Sequence, residues 1–270
     1  MQYTLGFLGA GNMAQAIAQA AIDSGALKPS QMIAADPTEA RRQVFANMGI
    51  AVTTDNKEVI GQSAQVMLAV KPQMMKLVAS DLAACGSSEQ IVQSIMAGIT
   101  IEKLNGAIAA AGGQPMRIVR IMPNTPMMIG FGMAGIATSP TGRAGDDDLA
   151  MKLFSAGGKA IRVAEPLIDS ITAVSGSGPA YVFYLAQAME QAASDLGLTE
   201  HARLLVGQTL LGAAQLLLQS SDSPAELRRK VTSPGGTTEA AIKHMDANQV
   251  MQTLTDAVKA AERRSKELGK

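Results

Sequence analysis

The first 165 residues alternate short β-rich runs with helical stretches, and that alternation leaves the chain very few folds to choose from. Strands are expected at Thr4–Leu8, Met32–Ala35, Val66–Val70, Ile91–Ile95 and Arg117–Ile121, with weaker ones near Gly135–Thr138 and Ile161–Ala164. Between them, helical patterns run over Met13–Ser24, Thr38–Met48, Met74–Ala84 and Ile101–Ala111. The strands read as nearly continuous apolar runs, which is the pattern of a parallel sheet covered by helices on both faces. The expectation is α/β: a doubly wound (Rossmann) N-terminal domain over residues 1–165.

The first strand opens into Gly9-Ala10-Gly11-Asn12-Met13-Ala14. In a βαβ unit this pattern suits a dinucleotide. The first glycine permits the tight turn, the second lets a pyrophosphate approach the backbone, and Ala14 takes the third position, at the helix–strand contact. Asp36 follows the second strand, where an acidic side chain can bind the adenosine ribose hydroxyls. The run Asp36-Pro37-Thr38-Glu39 also reads as a helix start with Asp36 as its N-cap. Arg41 and Arg42 are close enough in sequence to meet a 2′-phosphate instead. Val70-Lys71-Pro72-Gln73, Ala97-Gly98-Ile99-Thr100 and Met122-Pro123-Asn124-Thr125-Pro126 all fall where strands should end, on the ligand side of an open parallel sheet.

After Glu165-Pro166 no convincing strand remains, and residues 166–270 are expected to form an all-α domain. Ala180–Leu196 and His201–Gln219 are long and apolar. Apolar residues cover most of the circumference of the second helix, from Leu204 to Leu218. A domain this small buries such a helix all round most readily when a partner chain covers it, so dimerisation through the C-terminal half is expected.

Thr232-Ser233-Pro234-Gly235-Gly236-Thr237-Thr238 precedes another helical run. Unpaired N–H groups at a helix N-terminus carry the positive end of the helix dipole, and glycines let a ligand reach them. The segment therefore reads as a cradle for a carboxylate or phosphate.

Composition narrows the function further. Lys plus Arg and Asp plus Glu both number 23, so no net charge draws the chain to nucleic acid or an anionic membrane. No uncharged apolar run reaches the roughly 20 residues needed to span a bilayer. One cysteine, Cys85, leaves no internal disulfide, and two histidines make a dedicated zinc site unexpected. The apolar N-terminus lacks a basic segment and is broken by Gly6, Gly9 and Gly11, so it does not read as a signal peptide and a cytoplasmic location is expected. Asp146-Asp147-Asp148 reads as a charge group at a helix start.

Taken in order, Gly9–Ala14, Ala69–Pro72, Ala97-Gly98, Met122–Pro126, Val174–Tyr181 and above all Ser233–Thr238 resemble the pyrroline-5-carboxylate reductase family along nearly the whole chain. The resemblance implies reduction of the cyclic imine of pyrroline-5-carboxylate to L-proline with NADPH or NADH (NADP or NAD as cofactor). It also implies a helical domain that interlocks with that of a dimer mate, and often a larger ring of dimers, with each site completed across the dimer. By the same resemblance the substrate carboxylate sits on Ser233 and the backbone around Gly236, Thr237 and Thr238, and the Thr238 hydroxyl meets the ring nitrogen. For the cofactor it implies Leu8, Gly9, Ala10, Gly11, Asn12 and Met13 at the pyrophosphate and Asp36 with Asn56 at the adenosine end. Ala69, Val70, Lys71, Pro72, Ala97 and Gly98 then lie toward the nicotinamide. Where the family often carries a small hydroxyl residue this chain has Asp36, which makes NADH a competent donor.

Two other readings share parts of this pattern. A β-hydroxyacid dehydrogenase would use a lysine on the helix after a glycine-rich turn, and Gly176 to Ala192 contains none. A non-catalytic redox sensor would bind the dinucleotide without needing the acid cradle.

Overall fold

The computed structural model describes residues 1–140 and 142–269. Its strands are β1 (Tyr3–Leu8), β2 (Met32–Ala35), β3 (Ala51–Thr53), β4 (Ser63–Leu68), β5 (Ile91–Ser94), β6 (Arg117–Met122), β7 (Gly132–Thr138) and β8 (Gly158–Arg162). They form one sheet in the order β3-β2-β1-β4-β5-β6-β7-β8. The interleaved helices are α1 (Asn12–Asp23), α2 (Glu39–Asn47), α3 (Asn56–Gln62), α4 (Met75–Cys85), α5 (Ile101–Ala110), α6 (Asp148–Ala156) and α7 (Ile168–Ile171). Then follow α8 (Gly178–Asp195), α9 (Ala202–Gln219), α10 (Pro224–Lys230), α11 (Thr237–Ala247) and α12 (Val250–Gly269), with no strand among them.

Strand alternation decides which face each side chain joins. Leu5, Phe7, Met32 and Ala34 pack with Ile17 of α1, Phe45 of α2 and Leu153 of α6 on one face. Leu8, Ile33, Ala35, Val66 and Leu68 pack with Val59 of α3, Leu82 of α4 and Leu104 of α5 on the other. Phe7 and Phe45 meet edge to face with centroids 5.7 Å apart, a geometry that adds about 0.5–1.5 kcal/mol to their burial.

The sheet departs from the expected parallel pattern at one place. β6 and β7 are antiparallel, with Ile121 opposite Ile136, while β7 and β8 are parallel. The link from Pro123 to Phe131 holds only a short 3₁₀ turn, and a parallel return would need a crossover of a dozen or more residues. β3 and α3 lie where the chain shows no periodic pattern: one is three residues long and the other is a seven-residue helix containing Gly61. Asp147 stands at the N-cap position of α6 and pairs with Arg162, and Asp146 pairs with Arg117. Burial pushes the Asp146 carboxyl up, but hydrogen bonds from Arg117 and the Arg143 backbone outweigh it and hold the group below the usual aspartate range.

The chain divides into two compact units. One contains Met1–Ser177 and returns to include the chain from Ala261 on; the other is Gly178–Ala260. The expected division at residue 165 follows the last strand, whereas the compact units follow packing and assign the end of α12 to the α/β unit.

Candidate functional site

In the α/β unit the strand order reverses between β1 and β4, and the loops leaving their C-terminal ends frame a cleft of about 580 Å³. Ligands of doubly wound sheets bind at such a switch point because the neighbouring loops diverge there. Gly9, at φ +94°, turns the chain in a conformation side chains rarely adopt, and a Cβ there would lie 2.8 Å from the Ala69 carbonyl oxygen. Gly11 faces open space and is the N-cap residue of α1; no side chain caps that first turn and no acidic residue lies in it. The positive end of α1 is thus left for an external anion. Ala14 is buried against the sheet, where the third small residue was expected.

Asp36 occupies this cleft in a way the sequence did not reveal. Its Oδ2 accepts from the Ala10 N–H and its Oδ1 from the Thr38 N–H, both at 2.9 Å. The N-cap of α2 is Thr38, so the expectation that Asp36 caps this helix is corrected: its carboxylate ties the glycine loop to the start of the α2 segment. The link spans 26 positions in sequence, beyond the reach of any local pattern. An ionised carboxylate offers about four acceptor sites, so two remain for ribose hydroxyls.

The two neighbouring arginines separate. Arg42 donates to the carbonyl oxygens of Asp36 and Pro37, while Arg41 lines the cleft and donates to Asn12 Oδ1 at 2.6 Å. Asn56 lines the same cleft and donates to Asp81 Oδ2 at 2.9 Å.

Ala69, Val70 and Lys71 line both this cleft and a second one of about 290 Å³, where they are joined by Met13, Pro72, Ala97, Met122 and Pro123. Leu8 and Ala10 are buried; Leu8 belongs to the packing beneath the cleft, and Ala10 presents its N–H to Asp36. Gly98 is buried at φ +74° and lies against Leu268. Asn124, named in the sequence only as part of the Met122–Pro126 loop, donates to the Ser175 carbonyl and accepts from the Met133 N–H. It thereby joins two motif loops, and a Cβ on Gly176 would lie 2.6 Å from Met122 Cε.

In the helical unit the segment before α11 forms a tight turn. Gly235 is at φ +71°, Gly236 is the N-cap residue, and the Gly236 N–H donates to the Ser233 carbonyl at 3.0 Å. Glu239 reaches back to accept from the Gly235 N–H at 2.8 Å, while no side chain caps the α11 N-terminus from the Gly236 position. Thr232 spends its hydroxyl on the Arg228 carbonyl; Ser233 and Thr238 have no side-chain partner among the described residues. The arrangement can receive a carboxylate on backbone N–H groups and offers two hydroxyls beside it.

The comparisons bear on both units. A family model described as pyrroline-5-carboxylate reductase dimerisation matches residues 165–268, and one described as NADP oxidoreductase, coenzyme F420-dependent, matches residues 4–98. A pyrroline-5-carboxylate reductase of Pseudomonas aeruginosa is 44% identical over 98% of this chain and 96% of its own length. The chain belongs to the pyrroline-5-carboxylate reductase family. Solved structures agree across the whole length. A family member from Coxiella burnetii superposes with a TM-score of 0.89 at 36% identity, covering all of both chains. One from Plasmodium falciparum, solved with NADP bound, gives 0.88 at 28% identity with the same coverage. The doubly wound domain followed by an all-α dimerisation domain is the family's architecture, and the chain is an oxidoreductase that forms an oligomer through the helical domain. No helix among the described residues is long and apolar enough to cross a membrane.

Proposed function

We propose that the chain reduces the carbon–nitrogen double bond of 1-pyrroline-5-carboxylate with a hydride from NADPH or NADH, giving L-proline. The observation that carries this reading is the start of α11, where uncapped N–H groups and the unpartnered hydroxyls of Ser233 and Thr238 suit a small cyclic imino acid.

The residues fit a dinucleotide. The uncapped N-terminus of α1, with Gly9, Gly11, Asn12 and Met13, would hold the pyrophosphate, and exposed Lys71 on the cleft adds a cation. Asp36 and Asn56 would hold the adenosine end, and Ala69 to Pro72 with Ala97 the nicotinamide end. When bound, the reduced nicotinamide supplies the hydride.

On the acid side, the backbone N–H groups of Thr237 and Thr238, just after Gly236, with the Ser233 hydroxyl would hold the carboxylate, and the Thr238 hydroxyl would face the ring nitrogen. A protonated imine is already electrophilic, so the site needs no strong acid. Its contribution is orientation, which is worth several kcal/mol when reacting atoms are held about 3–3.5 Å apart.

The same reading makes the chain a cytoplasmic homodimer, with larger rings of dimers built from it, and assigns it neither nucleic acid nor membrane as partner. The test is oxidation of NADPH and NADH, followed by absorbance, with pyrroline-5-carboxylate as acceptor. Turnover dependent on the imine supports the reading. Binding of NADPH or NADH without turnover would leave a redox sensor in its place.

A further inference from the structure

The last helix, α12, changes allegiance along its length: from Ala261 on it packs as part of the α/β unit. Its end meets that unit beside the loop of residues 97–100, whose Ala97 lines the cleft assigned above to the nicotinamide end. We propose that the last turns of α12 are a positioning element for this loop, and so for the cofactor. The inference rests on the cofactor reading given under Proposed function.

Two sets of contacts converge on the loop. At its start, Gly98 has no room for a side chain, because a Cβ would lie 2.8 Å from Leu268 Cβ. Lys103 Nζ, one turn into α5, donates to the Leu268 carbonyl at 3.3 Å. At the end of the loop, the N–H of Ile101 donates to Glu165 Oε1 at 2.7 Å. That carboxylate accepts from Arg120 at 3.4 Å, and the other arm of Arg120 reaches Asp169 Oδ1 at 3.1 Å. The Ser265 hydroxyl donates to the same Asp169 oxygen at 2.8 Å, and the Ser170 hydroxyl donates to Glu262 Oε1 at 3.0 Å.

A continuous polar chain therefore runs from α12 through Asp169, Arg120 and Glu165 to the first N–H of α5. Its central cation is buried, with the Arg120 side chain only 4% exposed, and Ser265 is buried as well. An ion cluster around a buried cation tolerates little displacement, because a carboxylate that moves away leaves that cation uncompensated in surroundings that solvate it poorly. The cluster is thus a stiff connection, and it ends on the residue that fixes the far side of the loop. Leu268 presses on the near side.

The experiment measures nucleotide affinity directly, by the change in NADPH and NADH fluorescence on titration with the full-length protein, beside the KM for the imine acid. In the double variant Ser265→Ala with Leu268→Ala, both dissociation constants should rise about fivefold while the KM for the imine acid stays within twofold. Ser265→Thr, which keeps the hydroxyl, should retain the parent's affinity. Gly98→Ala acts from the loop side, pushing a Cβ against Leu268 without changing the sequence of α12; it should weaken nucleotide in the same way. Parent-like nucleotide affinity in folded Ser265→Ala/Leu268→Ala and Gly98→Ala would overturn the inference, whatever their melting temperatures, and leave the cofactor reading intact. A parent chain that binds neither nucleotide would remove both.

Discussion

Phe7, Phe45 and Leu104 of the α/β unit are fully enclosed by their own chain, whereas Phe183, Leu204 and Leu218 of the helical unit are two-thirds or more exposed. Within α8 no residue is buried, and within α9 only Ala202 and Val206 are. Leu204, Leu211 and Leu218 recur at seven-residue spacing, so they share one stripe of α9. The same hydrophobic effect shapes both units, at roughly 25 cal/mol per Å² of apolar surface removed from water. In the first unit a sheet with helices on both faces removes that surface within one chain. The second unit has helices alone and completes its burial with a second copy. On the function proposed above, cofactor recognition is built on the self-sufficient unit, and recognition of the acid on the one that depends on association.

The largest effect should come from breaking that dependence. Leu211→Asp places a charge in the stripe, and a charge buried without a partner costs about 3–5 kcal/mol. Sedimentation should show a smaller particle, and activity should fall on the order of 100-fold or more at the same concentration. An active monomer would refute the division of labour.

Phe45→Ala tests the other side of the comparison. Loss of a buried aromatic ring costs about 3–5 kcal/mol, and the loss should be the same at every protein concentration, because Phe45 is already fully enclosed by its own chain. In the parent, melting of the helical unit should shift upward as concentration rises, as linkage to association requires. Melting curves recorded across a hundredfold range of concentration check both statements; a concentration-independent parent would contradict the second.

Thr238→Val keeps the shape of the side chain and removes its hydroxyl. An unpaired polar partner costs about 1–3 kcal/mol, or roughly one to two decades in kcat/KM. Nucleotide affinity should not change, since the cleft proposed for the cofactor belongs to the other unit. Parent-like catalytic efficiency in the folded variant would remove Thr238 from its assigned role.

The smallest effect is expected at Asp36. A carboxylate accepts hydrogen bonds from both ribose hydroxyls of NADH but meets the 2′-phosphate of NADPH as a like charge. Arg41 stands on the same cleft and offsets part of that repulsion. Asp36→Ser should therefore raise efficiency with NADPH relative to NADH by about tenfold, equivalent to about 1.4 kcal/mol. An unchanged ratio would mean that Asp36 is only the brace between Ala10 and Thr38.

Local sequence carried the parts of this protein whose cause is local. Nearly continuous apolar runs marked most strands and a helical period most helices, since a strand covered on both faces is apolar throughout while a helix repeats its buried face at a fixed interval. Gly9, Gly11, Gly235 and Gly236 were legible because tight turns and uncapped helix starts demand particular residues at particular offsets. β3 and α3 escaped because three and seven residues are too few to display a period. The heptad of exposed leucines is written in the sequence as an over-apolar helix, so the need for a partner is readable from the order of residues alone.

What only the tertiary structure decided are the contacts between distant segments. Asp36 looked like a helix cap and proved to hold the glycine loop at Ala10. β7 ran antiparallel because the link before it is short. Gly98 looked like a cofactor-loop residue, and its missing side chain also makes room for Leu268, about 170 positions later in the chain. Such pairings depend on where the sheet's order and the return of α12 bring the backbone. Periodicity reports which face of an element is buried, and it contains no information on which remote residue will be pressed against it.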